Sequence, residues 1–184
     1  MSKKLIINAL LVGLIVNMDV HAESGVYIDG NAGYGSTGGL SIHNGNFAYS
    51  GDIGYQFNTY FGLELGYNHF GKVSKEYFGY RTNQFGNYSA DIAVKGILPF
   101  KDRWSLFGKL GLAYVNQQEK FSGFTTTPPP SSYTIDSYLG TLSPYAAAGV
   151  SYQLSKRFDI NAQLHGTPLS PSMYAGLVGL TYHF

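Results

Sequence analysis

Asp52, Glu64, Lys95 and Lys109 are the side chains around which chemistry would centre. Asp52 and Glu64 each lie about six residues from Asn58, and Lys95 and Lys109 a similar distance from Lys101. At a rise of roughly 3.3 Å per residue of extended chain, all four share one height. Two acids and two bases at one level can neutralise one another, as charges taken out of water must. Alternatively they ring a passage and select ions. An eight-stranded enclosure is just wide enough to be filled by side chains, which favours a neutral network over a pore.

Other chemistry is thinner. His165-Gly166-Thr167 sets a base beside a hydroxyl, yet no Asp or Glu follows Asp159 to orient the imidazole. His43, His69 and His183 have no metal-ligand spacing. The chain has no cysteine, which removes thiol nucleophiles, disulfides and Cys-based metal sites. Neither an enzymatic activity nor a cofactor is expected. Residues 71–86 are different: Lys72, Lys75 and Arg81 stand against Glu76, interleaved with Tyr77, Phe78, Tyr80 and Phe85. Basic groups among aromatics suit a sulfated glycan, lipopolysaccharide phosphates or a host protein. The plainer reading is that they anchor this segment in a layer of lipid headgroups.

These residues must be positioned by strands. Between residues 46 and 57 the odd positions are Phe47, Tyr49, Gly51, Ile53, Tyr55 and Phe57, and the even ones are polar or tiny. Such alternation gives a strand one apolar face. It recurs at 61–68, 88–98, 104–114 and 174–184, and more weakly at 26–34, 142–154 and 158–164. That makes eight strands and no helix. Short turns at 58–59, 100–102 and 155–156 alternate with long connections at 36–45, 71–86, 116–137 and 165–172. An even number of strands with short turns at one end and long loops at the other is the pattern of an antiparallel up-and-down transmembrane β-barrel, short turns periplasmic and loops extracellular. Lipid permits only a helix or a closed sheet, because every backbone polar group must be paired internally.

The 24 Gly, 16 Tyr and 12 Phe residues fit this, as does a charged fraction of only 12%. A net charge of +1 offers no basic face for nucleic acid. A soluble lipocalin-like carrier would also have eight strands, but its apolar face would line a cavity. Here Asp52, Glu64, Asp91, Lys95 and Lys109 all oppose the large apolar side chains. Aromatics such as Tyr49, Tyr67, Tyr88, Trp104, Tyr114 and Tyr182 sit at strand ends, where membrane–water boundaries hold them.

The amino terminus supplies the route. Lys3 and Lys4 precede an apolar run over residues 5–16, and Val20-His21-Ala22 offers the small residues of a cleavage site. Residues 1–22 are therefore expected to be a cleaved signal peptide, and 23–184 the barrel.

Leu180-Thr181-Tyr182-His183-Phe184 is an apolar–x–aromatic–x–Phe terminus. It resembles the signature, here Leu180, Tyr182 and Phe184, that the bacterial barrel assembly machinery reads. Phe107-Gly108-Lys109-Leu110-Gly111-Leu112-Ala113-Tyr114 and the stretch from Pro144 to Ser155 resemble the fifth and sixth strands of the outer membrane protein A barrel. The wider group includes outer membrane protein X and the neisserial opacity proteins. The resemblance implies an integral barrel of the outer membrane, in contact with its lipids and lipopolysaccharide, with surface loops serving adhesion to a host receptor or glycan. A small or gated pore and a lipocalin-like carrier are the alternatives. The sequence stops at the barrel, so a cell-wall tethering role is not implied.

Overall fold

The structure is a computed structural model. It describes residues 24–37, 46–71, 73–77, 80–125, 131–168 and 172–184; the expected signal peptide, residues 1–22, lies outside them. Nine strands form among the described residues: β1 (Gly25–Thr37), β2 (Asn46–Gln56), β3 (Phe61–His69), β4 (Val73–Tyr77), β5 (Tyr80–Lys101), β6 (Trp104–Thr125), β7 (Ser131–Gln153), β8 (Phe158–Thr167) and β9 (Met173–His183). Both β3 and β4 pair with β5, so they are two lengths of one stave broken at Phe70-Gly71. Gly71 holds φ +85, a left-handed conformation that a side chain would strain.

Every pairing is antiparallel, and β1 pairs with both β2 and β9, for example Gly30 with Gly51 and with Leu180. Together with the β3–β5 pairing this closes an eight-stave barrel. Closure leaves no edge in the hydrocarbon.

At the short-turn end, side chains supply the turn chemistry. Asn58 Oδ1 accepts from the amides of Tyr60 (2.8 Å) and Phe61 (3.0 Å), and Ser155 Oγ accepts from the amide of Phe158 (3.1 Å). Both arrest the chain within a few residues and return it antiparallel.

The apolar face points outward. Ile53, Leu65, Val94, Leu110, Leu164 and Val178 are exposed on the outer wall, whereas the intervening positions are buried in the lumen. That arrangement rules out the lipocalin-like alternative, whose greasy face would line the interior. Trp104 and Tyr114 bracket the apolar stretch of the outer face of β6, formed by Leu106, Leu110 and Leu112. About ten residue steps of 3.3 Å, tilted by about 40°, span about 25 Å, the height of an outer-membrane apolar band. Ring contacts such as Trp104–Tyr152 (4.8 Å), Phe158–Tyr182 (5.0 Å) and Tyr182–Phe184 (5.0 Å) join the aromatics of the short-turn rim.

Two expectations are corrected. Residues 71–86 and 116–137, read as loops, are largely strand. The β5–β6 ladder runs on to Arg81 opposite Ser122, and the β6–β7 ladder to Thr125 opposite Ser131. Outside the hydrocarbon both faces of a ladder can meet water, so the apolar/polar alternation that reveals a strand is lost while the hydrogen bonding is not.

Candidate functional site

The register creates an electrostatic problem in the wall. Asp29 lies directly opposite Asp52 on β1 and β2, and Lys95 directly opposite Lys109 on β5 and β6. Like charges in facing positions destabilise a ladder. Lys95 finds its acid along the wall, on the diagonal from Glu64 of the paired strand β3, whereas Lys109 reaches past neighbouring strands into the lumen. Lys109 Nζ reaches Glu64 Oε2 at 2.6 Å and Asp52 Oδ2 at 3.1 Å, and Lys95 Nζ reaches Glu64 Oε1 at 2.9 Å. The Tyr27 hydroxyl donates to Glu64 Oε1 at 2.7 Å. The four residues singled out from the sequence therefore meet as one network, with Glu64 at its centre. Lys109 and Glu64 are each 1% exposed.

Small residues make room for it. Glu64 faces Gly54 and Ala93 on its neighbouring strands. Gly66 sits between Asp52 and Asp91 in the register, and a Cβ there would press on both carboxylates. Tyr27 and Phe107 rings flank Lys95 Nζ at 4.7 and 5.0 Å from their centroids, a cation–π setting that partly replaces lost water.

Several members escaped the sequence reading. Asp29 accepts from Asn161 Nδ2 at 3.0 Å, and Asp91 accepts from Asn68 Nδ2 at 2.5 Å. Four buried carboxylates and two buried ammonium groups thus meet among the described residues, with amides bonded to the two acids the lysines do not reach. Tyr27 and Asp29 were legible in principle: they share the inward face of the weak 26–34 alternation. Asn161 and Asn68 carry no charge and gave no signal.

Toward the extracellular side the filling turns apolar. Phe70, Val115, Tyr145 and Met173 are fully buried there. His165 belongs to this layer on β8, not to a loop. Its Nδ1 lies 3.2 Å from the Tyr145 hydroxyl and its ring 5.2 Å from that of Phe70. Among the described residues the buried Thr167 hydroxyl makes no hydrogen bond, to His165 or to any other group.

The remaining expected sites are surface features. Leu180 and Tyr182 lie on the outer face of β9 and Phe184 follows directly after its end, 73% exposed, with the Phe184 amide donating to the Val26 carbonyl at 3.1 Å. Lys75 stands on β4 opposite Thr82, and Arg81 on β5 opposite Glu76. Lys72 lies outside the described residues.

Comparisons with known proteins agree with this architecture. The model of the OmpA-like transmembrane domain matches residues 19–165. Outer membrane protein P5 of Haemophilus influenzae is 28% identical over 106 residues, which cover 55% of this chain. The chain spans 30% of P5, and 66% of a second relative, an uncharacterised protein of Coxiella burnetii. Among solved structures, neisserial surface protein A superposes with a TM-score of 0.64 at 15% identity, covering 88% of this chain and 98% of that one. Ail of Yersinia pestis, solved in complex with the heparin analogue sucrose octasulfate, gives 0.51 at 18% identity, covering 88% and 97%. An outward apolar band, a closed ladder and a charge-filled lumen together with the family match lead to one conclusion: the chain belongs to the OmpA-like transmembrane domain family, as an integral β-barrel of the bacterial outer membrane.

Proposed function

We propose that this barrel is a non-enzymatic, non-conducting scaffold that presents its extracellular strands for adhesion to anionic host glycans, with residues 1–22 as its cleaved export signal. The observation that carries the reading is strand length. β5, β6 and β7 have 22, 22 and 23 residues, whereas about 9–11 suffice to cross the membrane. Roughly ten residues of each therefore stand beyond the apolar band as one hydrogen-bonded sheet. Ordering such a sheet in advance reduces the entropy lost when a ligand is bound. Lys75 and Arg81 sit on this projecting part, and Lys72 adjoins it in sequence. The fold-level likeness to Ail, seen with a sulfated ligand, is in keeping with a sulfated glycan. A filled lumen supports the scaffold over the pore reading.

The test is binding to immobilised heparin. Replacing Lys72, Lys75 and Arg81 together by Gln removes three charge-assisted contacts, and affinity is expected to fall at least tenfold with the thermal midpoint unchanged. Wild-type affinity in the triple variant contradicts the reading.

Assembly is read from the other rim. Leu180, Tyr182 and Phe184 form the mark that the barrel assembly machinery recognises. Deleting Phe184 is expected to cut outer-membrane yield severalfold and leave chain in periplasmic aggregates, measured by fractionation. Undiminished yield would mean that the motif plays no part in insertion.

A further inference from the structure

The lumen is filled unevenly. A cavity of about 940 Å³ opens at the short-turn end and stops at Lys95, Phe107 and Asn161. Beyond it lie the Glu64–Lys109 network and then the apolar layer of Phe70, Tyr145 and Met173. The cavity is a blind pocket facing the periplasm. Its volume falls in the range of small-molecule sites.

Its mouth is basic. Lys101 and Arg103 come from the β5–β6 turn, and Lys156 and Arg157 from the β7–β8 turn. The two turns are neighbours around the rim, tied by the Gln153 amide donating to the Arg103 carbonyl at 2.8 Å. Two acids share the lining, Asp102 and Asp159, and Asp159 already pairs with His183 at 2.9 Å. Among the described residues no ion pair involves Lys101, Arg103, Lys156 or Arg157; the pairs that form are those of Lys95, Lys109 and His183. Deeper in, Ser105, Ser151, Thr181 and Asn161 line the wall, with Lys95, already paired to Glu64, at the floor. Four unpaired cations around a concave site, set in a wall whose outside is hydrocarbon, focus a positive field on the opening.

We propose that this periplasmic vestibule is a binding site for a phosphate-bearing molecule, its anionic group held by Arg103 and Arg157 with Lys101 and Lys156, and its polar body reaching toward Ser105, Ser151 and Asn161. Arginine forks match phosphate oxygens two at a time, and the hydroxyls and amides below offer hydrogen bonds to a hydroxylated body. The same chemistry is carried by a soluble phosphorylated metabolite and by the headgroup of an inner-leaflet phospholipid. This inference is independent of the adhesive role, because it uses the opposite end of the barrel.

The test uses the full barrel in phosphatidylcholine nanodiscs, titrated with inorganic pyrophosphate and followed by amide chemical shifts. Saturable shifts are expected at residues 102–103 and 154–157. Arg103→Gln with Arg157→Gln should weaken binding at least tenfold, whereas Arg103→Lys with Arg157→Lys should retain most of it. An unchanged heat-dependent gel shift shows that the double variant is folded. Repeating the titration in phosphatidylglycerol nanodiscs separates the sources: competition by the lipid names the headgroup, and undisturbed binding names a soluble ligand. Shifts that do not saturate, or that persist in the Gln variant, overturn the proposal.

Discussion

Lys109→Met is expected to destabilise the folded barrel by about 3–5 kcal/mol, the cost of removing one partner from a buried ion pair. The magnitude follows from position. Lys109 is the one lysine that reaches both Asp52 and Glu64; its loss leaves the buried Asp52 without a cation and Glu64 with Lys95 alone. Lys95→Met should cost less. Glu64 then keeps Lys109 and the Tyr27 hydroxyl, and Lys95 lines the water-accessible vestibule. Adding Asp52→Asn to Lys109→Met should restore much of the loss, because Glu64 keeps Lys95 and the one charge left without a cation is removed. Urea unfolding in detergent micelles measures all three. A Lys109→Met variant within about 0.5 kcal/mol of wild type, the range of an ordinary surface change, would show that the network contributes little.

The second large effect is expected at Gly111. A Cβ there would run into the Ile92 carbonyl oxygen and lie 2.7 Å from Ala93 Cα, both backbone atoms of the paired strand β5. A side chain can rotate away from such a clash; a hydrogen-bonded strand cannot. Gly111→Ala should therefore force β5 and β6 apart, at about 1–3 kcal/mol, the usual cost of overpacking. Gly30 supplies the control, since nothing lies within 4 Å of its Cβ position. Gly30→Ala should leave the unfolding midpoint unchanged or slightly raised. Equal effects at the two glycines would mean that close strand approach does not constrain Gly111.

The membrane-spanning part of this protein is legible because lipid imposes a rule on every second residue. Hydrocarbon outside and a filled lumen inside force the alternation at 46–57 or 104–114, and counting from the turns was enough to bring Asp52, Glu64, Lys95 and Lys109 to one level. The same logic explains what stayed hidden. Above the membrane no hydrocarbon imposes that alternation, so the outer halves of β5, β6 and β7 read as loops although their ladders continue. Counting along strands also fixes height but not bearing. It could not show that Lys95 faces Lys109 and Asp29 faces Asp52, nor that Lys109 has to reach past its neighbouring strands for its acids. Asn68 and Asn161 complete the network through geometry alone, and the vestibule depends on which turns are neighbours around the rim, a property of the closed barrel rather than of any segment.

A scaffold with a filled lumen and a pore of the same fold differ most plainly in ion flow. On the scaffold reading proposed above, in which the Lys109–Glu64–Asp52 network and the layer of Phe70, Tyr145 and Met173 plug the lumen, wild-type protein inserted into planar lipid bilayers should give no stable single-channel step. A reproducible, ion-selective step in wild type, with its selectivity changed by Lys109→Met, would contradict this account and make the charge network a filter.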